Sequence, residues 1–215
     1  MNYKAPPASE QITQALKDRI VSGKYPPRWV ISEKEICQEF GVSRTPFREA
    51  IKKLEELRLE EVVPRFGTYV SEVNFHEVKY AFEMRLALEP WACKLAAERR
   101  TAEQLTRLEA LIEEDEVLIR NHDSVLLNTN VDKRCHQAID EAACNPLLAA
   151  DLDRLRTICS RIWTSSFREK VSNLELSEQW RRIYQAVKNR DGVSASGVMT
   201  EHIEYTINCL KEGFF

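Results

Sequence analysis

The stretch Ile31 to Val70 constrains this chain more than any other, and within it the run Ser43-Arg44-Thr45-Pro46-Phe47-Arg48-Glu49. Gly41-Val42 reads as a short turn after a helical run. Ser43 stands where a helix N-cap is favoured, because its hydroxyl can accept from an otherwise unpaired backbone N–H. Behind it, Phe47, Ala50, Ile51, Leu54 and Leu57 recur at three- and four-residue spacings, so one face of the predicted helix is apolar. Arg44, Arg48 and Lys52, each four apart, stack along the opposite face. A short helix, a glycine turn and a second helix with a basic stripe make the helix-turn-helix pattern, whose second helix offers its N-terminal residues to base edges in the major groove.

A basic stripe on an amphipathic helix is by itself also what a solvated face looks like. The next segment separates the two readings. Glu60-Glu61-Val62-Val63-Pro64-Arg65-Phe66-Gly67-Thr68-Tyr69-Val70 has strand formers at Val62-Val63 and Tyr69-Val70, punctuated by Pro64 and Gly67, and predicts a hairpin. Helix, helix and hairpin form a winged helix. Arg65 and Gly67 fall at the wing tip, where a cation or bare backbone can approach a phosphate or the minor groove.

Residues 9–71 resemble the winged-helix domain of GntR-type bacterial transcription regulators. Gly41 to Ala50 is close to the recognition-helix signature of that family, and Pro64 to Val70 looks like its wing. The resemblance implies operator DNA as a partner, contacted by Lys34, Arg44, Thr45, Arg48 and Gly67; Ser43, Lys52 and Arg65 join them as candidates from their positions. Three departures stand out. The family's Pro-Gly before the second helix is Pro27-Arg28, its Gly-Leu-Val before the wing is Arg58-Leu59-Glu60, and the Val after the signature Pro is Phe47. The first two are expected to alter turns, the third only packing.

The rest of the chain reads as a second domain. Met1 to Ala8, with adjacent prolines, is a lead-in; Ser9 to Ser22 is a helix ended by Gly23; Pro26-Pro27 predict an extended connection; Ser32 with Glu35 predicts a capping box. The boundary is placed at residue 73, giving a DNA-binding domain over 1–73 and a helical domain over 74–215. Helices are predicted near 75–99, 102–121, 124–143, 145–169, 173–189 and 192–212, with Asn74, Thr101 and Asn145 as caps and Pro146 at the first helical position. The fold class is therefore mainly α: a winged helix-turn-helix of three helices plus a small hairpin, then an antiparallel bundle whose interior can house a ligand.

Charge is nearly balanced within each part. The first 75 residues carry 12 Lys and Arg against 11 Asp and Glu, so positive charge on the DNA-binding domain must be local. No signal peptide is visible and no apolar run approaches the ~20 residues of a membrane span, which predicts a cytoplasmic protein with no membrane partner. Cys37, Cys93, Cys135, Cys144, Cys159 and Cys209 form no metal-ligand spacing and are expected as buried free thiols.

In the bundle, Asp132 and His136 are four apart on one predicted helix, and His202 lies on the last. These are ligand types for one divalent ion such as Zn²⁺, Ni²⁺ or Mn²⁺, or, equally, surface or core hydrogen-bonding groups. His76 and His122 fall near helix ends and read as structural or solvated. The segment around Asp132 to Leu148, with Glu83-Met84-Arg85 on the first bundle helix and Glu201-His202-Ile203 on the last, resembles the FCD ligand-binding domain of FadR-like GntR regulators. That resemblance implies a homodimer and one metal held by an Asp and three His, with a small carboxylate effector over it. Asp132, His136 and His202 match three of those ligands. Ile183 and Ala186 place Trp180 in the slot of the remaining His, and an indole cannot coordinate because its nitrogen only donates.

Two outcomes follow: a three-ligand site, or a metal-free pocket in which His136, His202 and Arg85 bind an anion beside Trp180 as a stacking or lid surface. Arg85 is the candidate for the effector carboxylate; an ion pair with Glu89, four residues on, is its alternative. Arg134, Arg154 and Arg161 read as solvated. The reading is an effector-responsive repressor rather than an enzyme. An architectural DNA-binding protein with an inert bundle, and a metal-dependent enzyme fused to a winged helix, are the alternatives.

Overall fold

The computed structural model describes residues 6–121, 125–162 and 172–214. Two compact units form: the chain up to Val78 together with Thr157–Ile162, and Lys79–Arg156 together with the chain beyond Ile162.

The first unit contains α1 (Ala8–Val21), β1 (Val30–Ile31), α2 (Glu33–Phe40), α3 (Arg44–Glu56), β2 (Glu60–Val63) and β3 (Gly67–Val70). Its core is the apolar stripes read from the sequence: Ile12, Leu16 and Ile20 of α1 meet Phe47, Ala50, Ile51 and Leu54 of α3, closed by Leu59 and Val70. The predicted hairpin is present, with Glu60 opposite Val70 and Val63 opposite Gly67. A third strand joins it. Val30 and Ile31 pair with Tyr69 and Thr68, giving the antiparallel order β1-β3-β2. Two residues are too short for strand periodicity to show in a sequence; β1 exists because β3 offers it a free edge.

The turns correct two expectations. Pro26-Pro27 is not an extended connection: the Trp29 N–H donates to the Pro26 carbonyl at 3.0 Å, and Arg28 sits at φ 68°. Proline at the second position and a left-handed residue at the third make a type II turn. At the end of α3 the Arg58 N–H donates to Glu55 and the Leu59 N–H to Leu54, with Arg58 at φ 57°. This is the helix ending that usually takes glycine. Both family glycine positions therefore keep their turns, with arginine in the left-handed conformation. Arg161 is likewise not solvated. Its guanidinium donates to the Arg58 carbonyl at 3.2 Å, the Ser71 hydroxyl at 3.0 Å and the Ser71 carbonyl, and burial lowers its pKa.

The second unit is all helical among its described residues. It holds α4 (Phe75–Arg99, from Lys79 onward), α5 (Ala102–Arg120), α6 (Val125–Ala142), α7 (Pro146–Ser160, up to Arg156), α8 (Asn173–Lys188) and α9 (Gly192–Phe214). The expected ends hold at Thr101, whose hydroxyl accepts from the Gln104 N–H while Gln104 reaches back, and at Asn145, which accepts from Leu148 with Pro146 opening α7. α7 ends at Ser160, short of the expected 169; His122 and residues 163–171 lie outside the described residues. α5 packs on α6 and α8, and α8 on α9. Apolar side chains of these helices are buried together: Leu108, Leu111 and Ile112, Val131 and Ile139, Ile183 and Val187, Met199 and Ile203. Four of the six thiols are buried as expected. Cys144 is exposed, in a turn at φ 50°, and Cys37 is half-buried.

Candidate functional site

The first unit presents the candidate DNA-binding residues. Gly41, at φ 63°, ends α2 and lets the chain reverse: the N–H groups of Gly41 and Val42 donate to the Gln38 and Cys37 carbonyls. Ser43 takes the extended conformation of an N-cap, but its side chain makes no cap hydrogen bond, contrary to expectation. Its hydroxyl stays exposed beside Arg44, Thr45 and Arg48, which are exposed too.

Glu33 organises this surface. Its two carboxylate oxygens lie 3.0 Å from Arg44 Nε and 3.8 Å from Arg48 Nε. Lys34, Arg44 and Arg48 line one groove with Glu33, Cys37, Gln38 and Val42. Lys52, Arg65 and Gly67 are exposed but do not line it. Arg65 (φ 70°) and Gly67 (φ 126°) shape the wing tip, and the Tyr69 hydroxyl donates to the Phe66 carbonyl at 3.0 Å across it. Glu33 was missed in the sequence because an acidic residue after Ser32 reads as complementing a helix N-terminus.

The second unit gathers Asp132, His136, His202 and Trp180. One ligand atom from each of Asp132, His136 and His202 lies within 4.8 Å of the others. Both rings are held by a second set of residues. His136 Nδ1 lies 2.6 Å from Glu89 Oε2, and the negative charge of that carboxylate favours the tautomer with the proton on Nδ1. Gln179 donates its amide to Glu175 at 3.0 Å, which turns Oε1 toward His202 Nδ1, also 3.0 Å away. That carbonyl oxygen favours a proton on His202 Nδ1 as well. The two Nε2 lone pairs then face Asp132, at 3.8 Å from Oδ2 for His136 and 3.5 Å from Oδ1 for His202. His136 Nε2 is buried and has no hydrogen-bond partner. Two inward lone pairs and a carboxylate, with outer groups fixing the tautomers, are a donor set that fits a divalent cation.

Trp180 completes the cluster differently from a ligand. It is buried, and its indole N–H donates to Asp132 Oδ1 at 2.7 Å. Its ring meets His136 edge-on at 4.8 Å and His202 at 5.1 Å. At 2% exposure it is a packed wall of the cluster and not a lid. Burial favours the protonated form of Asp132, and the indole N–H donated to Oδ1 opposes it; a proton on either Nε2 would pull the carboxyl further below its usual range. Burial also lowers the His136 pKa, against the pull of Glu89 and Asp132.

Arg85 is brought near but not into the cluster. It pairs with Glu89 at 2.6 Å while Glu89 holds His136, so the ion pair weighed as its alternative is the arrangement present. Glu89 and Gln179 were missed as imidazole partners. Nothing in their spacing ties them to a histidine on another helix.

Comparison with known proteins agrees with both units. Residues 8–70 match the family described as bacterial regulatory proteins, gntR family, and residues 80–205 match the FCD domain. The chain is 30% identical over 201 residues to the HTH-type transcriptional repressor RspR of Escherichia coli K12, covering 92% of this chain and 86% of that protein. It is 25% identical over 228 residues to the galactonate operon transcriptional repressor of the same strain, covering 95% and 97%. Among solved structures, Escherichia coli McbR/YncC shares the fold with a TM-score of 0.81 at 23% identity, over 98% of this chain and 100% of that one. No helix among the described residues is long and apolar enough to cross a membrane. The chain belongs to the GntR family of bacterial regulatory proteins, carries an FCD domain behind its winged helix, and is an effector-responsive DNA-binding transcription regulator.

Proposed function

We propose that this regulator represses its target as a cytoplasmic homodimer, with two recognition helices on successive half-sites of a pseudo-palindromic operator. The reading of DNA is carried by the exposed start of α3, where Arg44, Thr45 and Arg48 have no apolar covering and two guanidinium groups share a single carboxylate, Glu33. Ser43, Lys34, Lys52, Arg65 and Gly67 are assigned to phosphate and groove contacts from their exposure. The sign of control, repression, is supported by the names of the two Escherichia coli relatives.

The effector is proposed to be a small organic acid sensed at Asp132, His136 and His202. The unpartnered Nε2 of His136 carries this assignment, because a buried acceptor without a donor is costly unless a ligand supplies one. A divalent ion of the zinc, nickel or manganese class, held by the two Nε2 atoms and Asp132, would supply the positive charge that draws a carboxylate. Arg85 acts behind this site: by pairing with Glu89 it keeps the His136 proton on Nδ1. Effector binding changes operator affinity by a coupling free energy of typically ~1–3 kcal/mol.

Operator binding by Arg48→Ala tests the assignment of the recognition helix. Loss of a base contact weakens specific binding by about 1–3 kcal/mol while leaving affinity for unrelated DNA nearly unchanged. An anisotropy titration that finds both affinities unchanged removes Arg48 from the interface and α3 from its role.

A further inference from the structure

Asp132 has two oxygens, and the structure distributes them unequally. Oδ2 points toward His136 Nε2 across 3.8 Å with nothing donated to it by that ring. Oδ1 faces His202 Nε2 at 3.5 Å, and that same oxygen accepts the indole N–H of Trp180 at 2.7 Å. The oxygen best placed to share a cation with His202 is therefore already engaged by a donor inside the protein. The indole cannot turn away freely: Trp180 is buried on the inner face of α8, in line with Ile183, Tyr184 and Val187, and its ring touches both imidazoles.

We propose that Trp180 sets the cation affinity of the Asp132–His136–His202 site, its indole N–H competing with a divalent ion for Asp132 Oδ1 and so making the site weak and exchangeable. The inference rests on the reading of these three residues as the sensor site and adds a role for a residue that donates no electron pair. A hydrogen bond to a carboxylate draws charge from the acceptor, and a bond to a charged group is among the stronger ones a protein makes. An ion entering the site must displace this bond or share its oxygen, and either course lowers the net gain on binding. The ring adds a second restriction. It fills the side of the cluster from which another protein ligand would approach, so an ion there has three protein ligands and keeps its other positions for exchangeable groups.

The three chains to compare are the unaltered chain, Trp180→Phe and Trp180→His. Phenylalanine keeps an aromatic ring and removes the N–H; histidine removes the donor bulk and offers a ligand. Zn²⁺ affinity is measured at one fixed pH by competition against a chromophoric chelator. The expected order is wild type weakest, Trp180→Phe about tenfold tighter, and Trp180→His tightest. The wild type provides a readout free of any folding defect in the variants. Its Trp180 indole N–H, labelled with ¹⁵N and assigned by its loss in Trp180→Phe, is expected to shift on addition of Zn²⁺.

Trp180→Phe binding Zn²⁺ no more tightly than the wild type overturns the role of Trp180, and so does an unmoved indole resonance in the zinc-loaded wild type. If Trp180→His takes up no Zn²⁺ at all, the sensor-site reading fails and this inference with it. Operator binding, measured on the same preparations, tests the DNA-binding function separately.

Discussion

Glu60 is the residue whose chemistry fits its place least. It stands in β2 opposite Val70 and is buried, and neither carboxylate oxygen has a hydrogen-bond partner. Burial, with Glu55 and Glu61 nearby, pushes its pKa up from 4.5 to about 7. The folded state thus holds this proton more tightly than the unfolded chain does. Its contribution is most favourable below about pH 4.5 and is lost as pH rises through about 7. Glu60→Gln is therefore expected to raise the melting temperature at pH 8 and to change it little at pH 4.5, measured by thermal unfolding across that range. Equal shifts at both pH values would show that the carboxyl is solvated in the fold. At this scale the sequence was legible for composition and not for environment. The family's Gly-Leu-Val reads here as Arg58-Leu59-Glu60, which signalled an altered turn; the turn survived, with Arg58 left-handed, and the consequence fell on Glu60 instead.

At the scale of elements, α2 and α3 were legible because a 3.6-residue period is written into Phe47, Ala50, Ile51 and Leu54, all of which are buried. What the period does not carry is the relation between the two helices. Glu33 on α2 spans Arg44 and Arg48 on α3, holding both guanidinium groups in the free protein. These pairs are exposed, so they contribute little to stability, on the order of 0–1 kcal/mol each. On the proposed assignment of α3 they matter for binding, because a phosphate or a base would have to take the guanidinium groups from Glu33. Glu33→Gln is expected to strengthen binding to unrelated DNA by up to about fivefold and to narrow the gap between operator and non-operator. Anisotropy titrations of both DNAs check this. A weaker affinity for both would mean that Glu33 preorganises the arginines instead of restraining them. β1 was not legible because two residues have no period; its pairing depends on β3 being folded beside it.

At the scale of the whole molecule, the feature that calls for a second copy is α4. Tyr80, Met84 and Trp91 are large and exposed, and with exposed Ala87 they follow a four-three-four spacing along one face. Two such helices running antiparallel would set Tyr80 against Trp91 and the long Met84 against the small Ala87, a pairing that is its own complement under a two-fold axis. If the proposed homodimer pairs through this face, Trp91→Glu is expected to sediment as a monomer where the unaltered chain sediments as a dimer, in sedimentation velocity at micromolar concentration. It should also abolish the dependence of melting temperature on protein concentration that a dimer is expected to show. A variant that stays dimeric places the interface elsewhere.

The sequence by itself determined the order of helices, the hairpin wing, the apolar faces and the family, since periodicity, caps and motif spacing are local properties of the chain. It also brought Asp132, His136, Trp180 and His202 forward as a set, through resemblance. Only the tertiary structure decided what those four do to one another. The direction of each imidazole lone pair depends on Glu89 and Gln179, and the state of Asp132 depends on the Trp180 indole. These are contacts between helices, set by how side chains interlock when the bundle closes, and no spacing along the chain encodes which atom of a buried ring faces which oxygen.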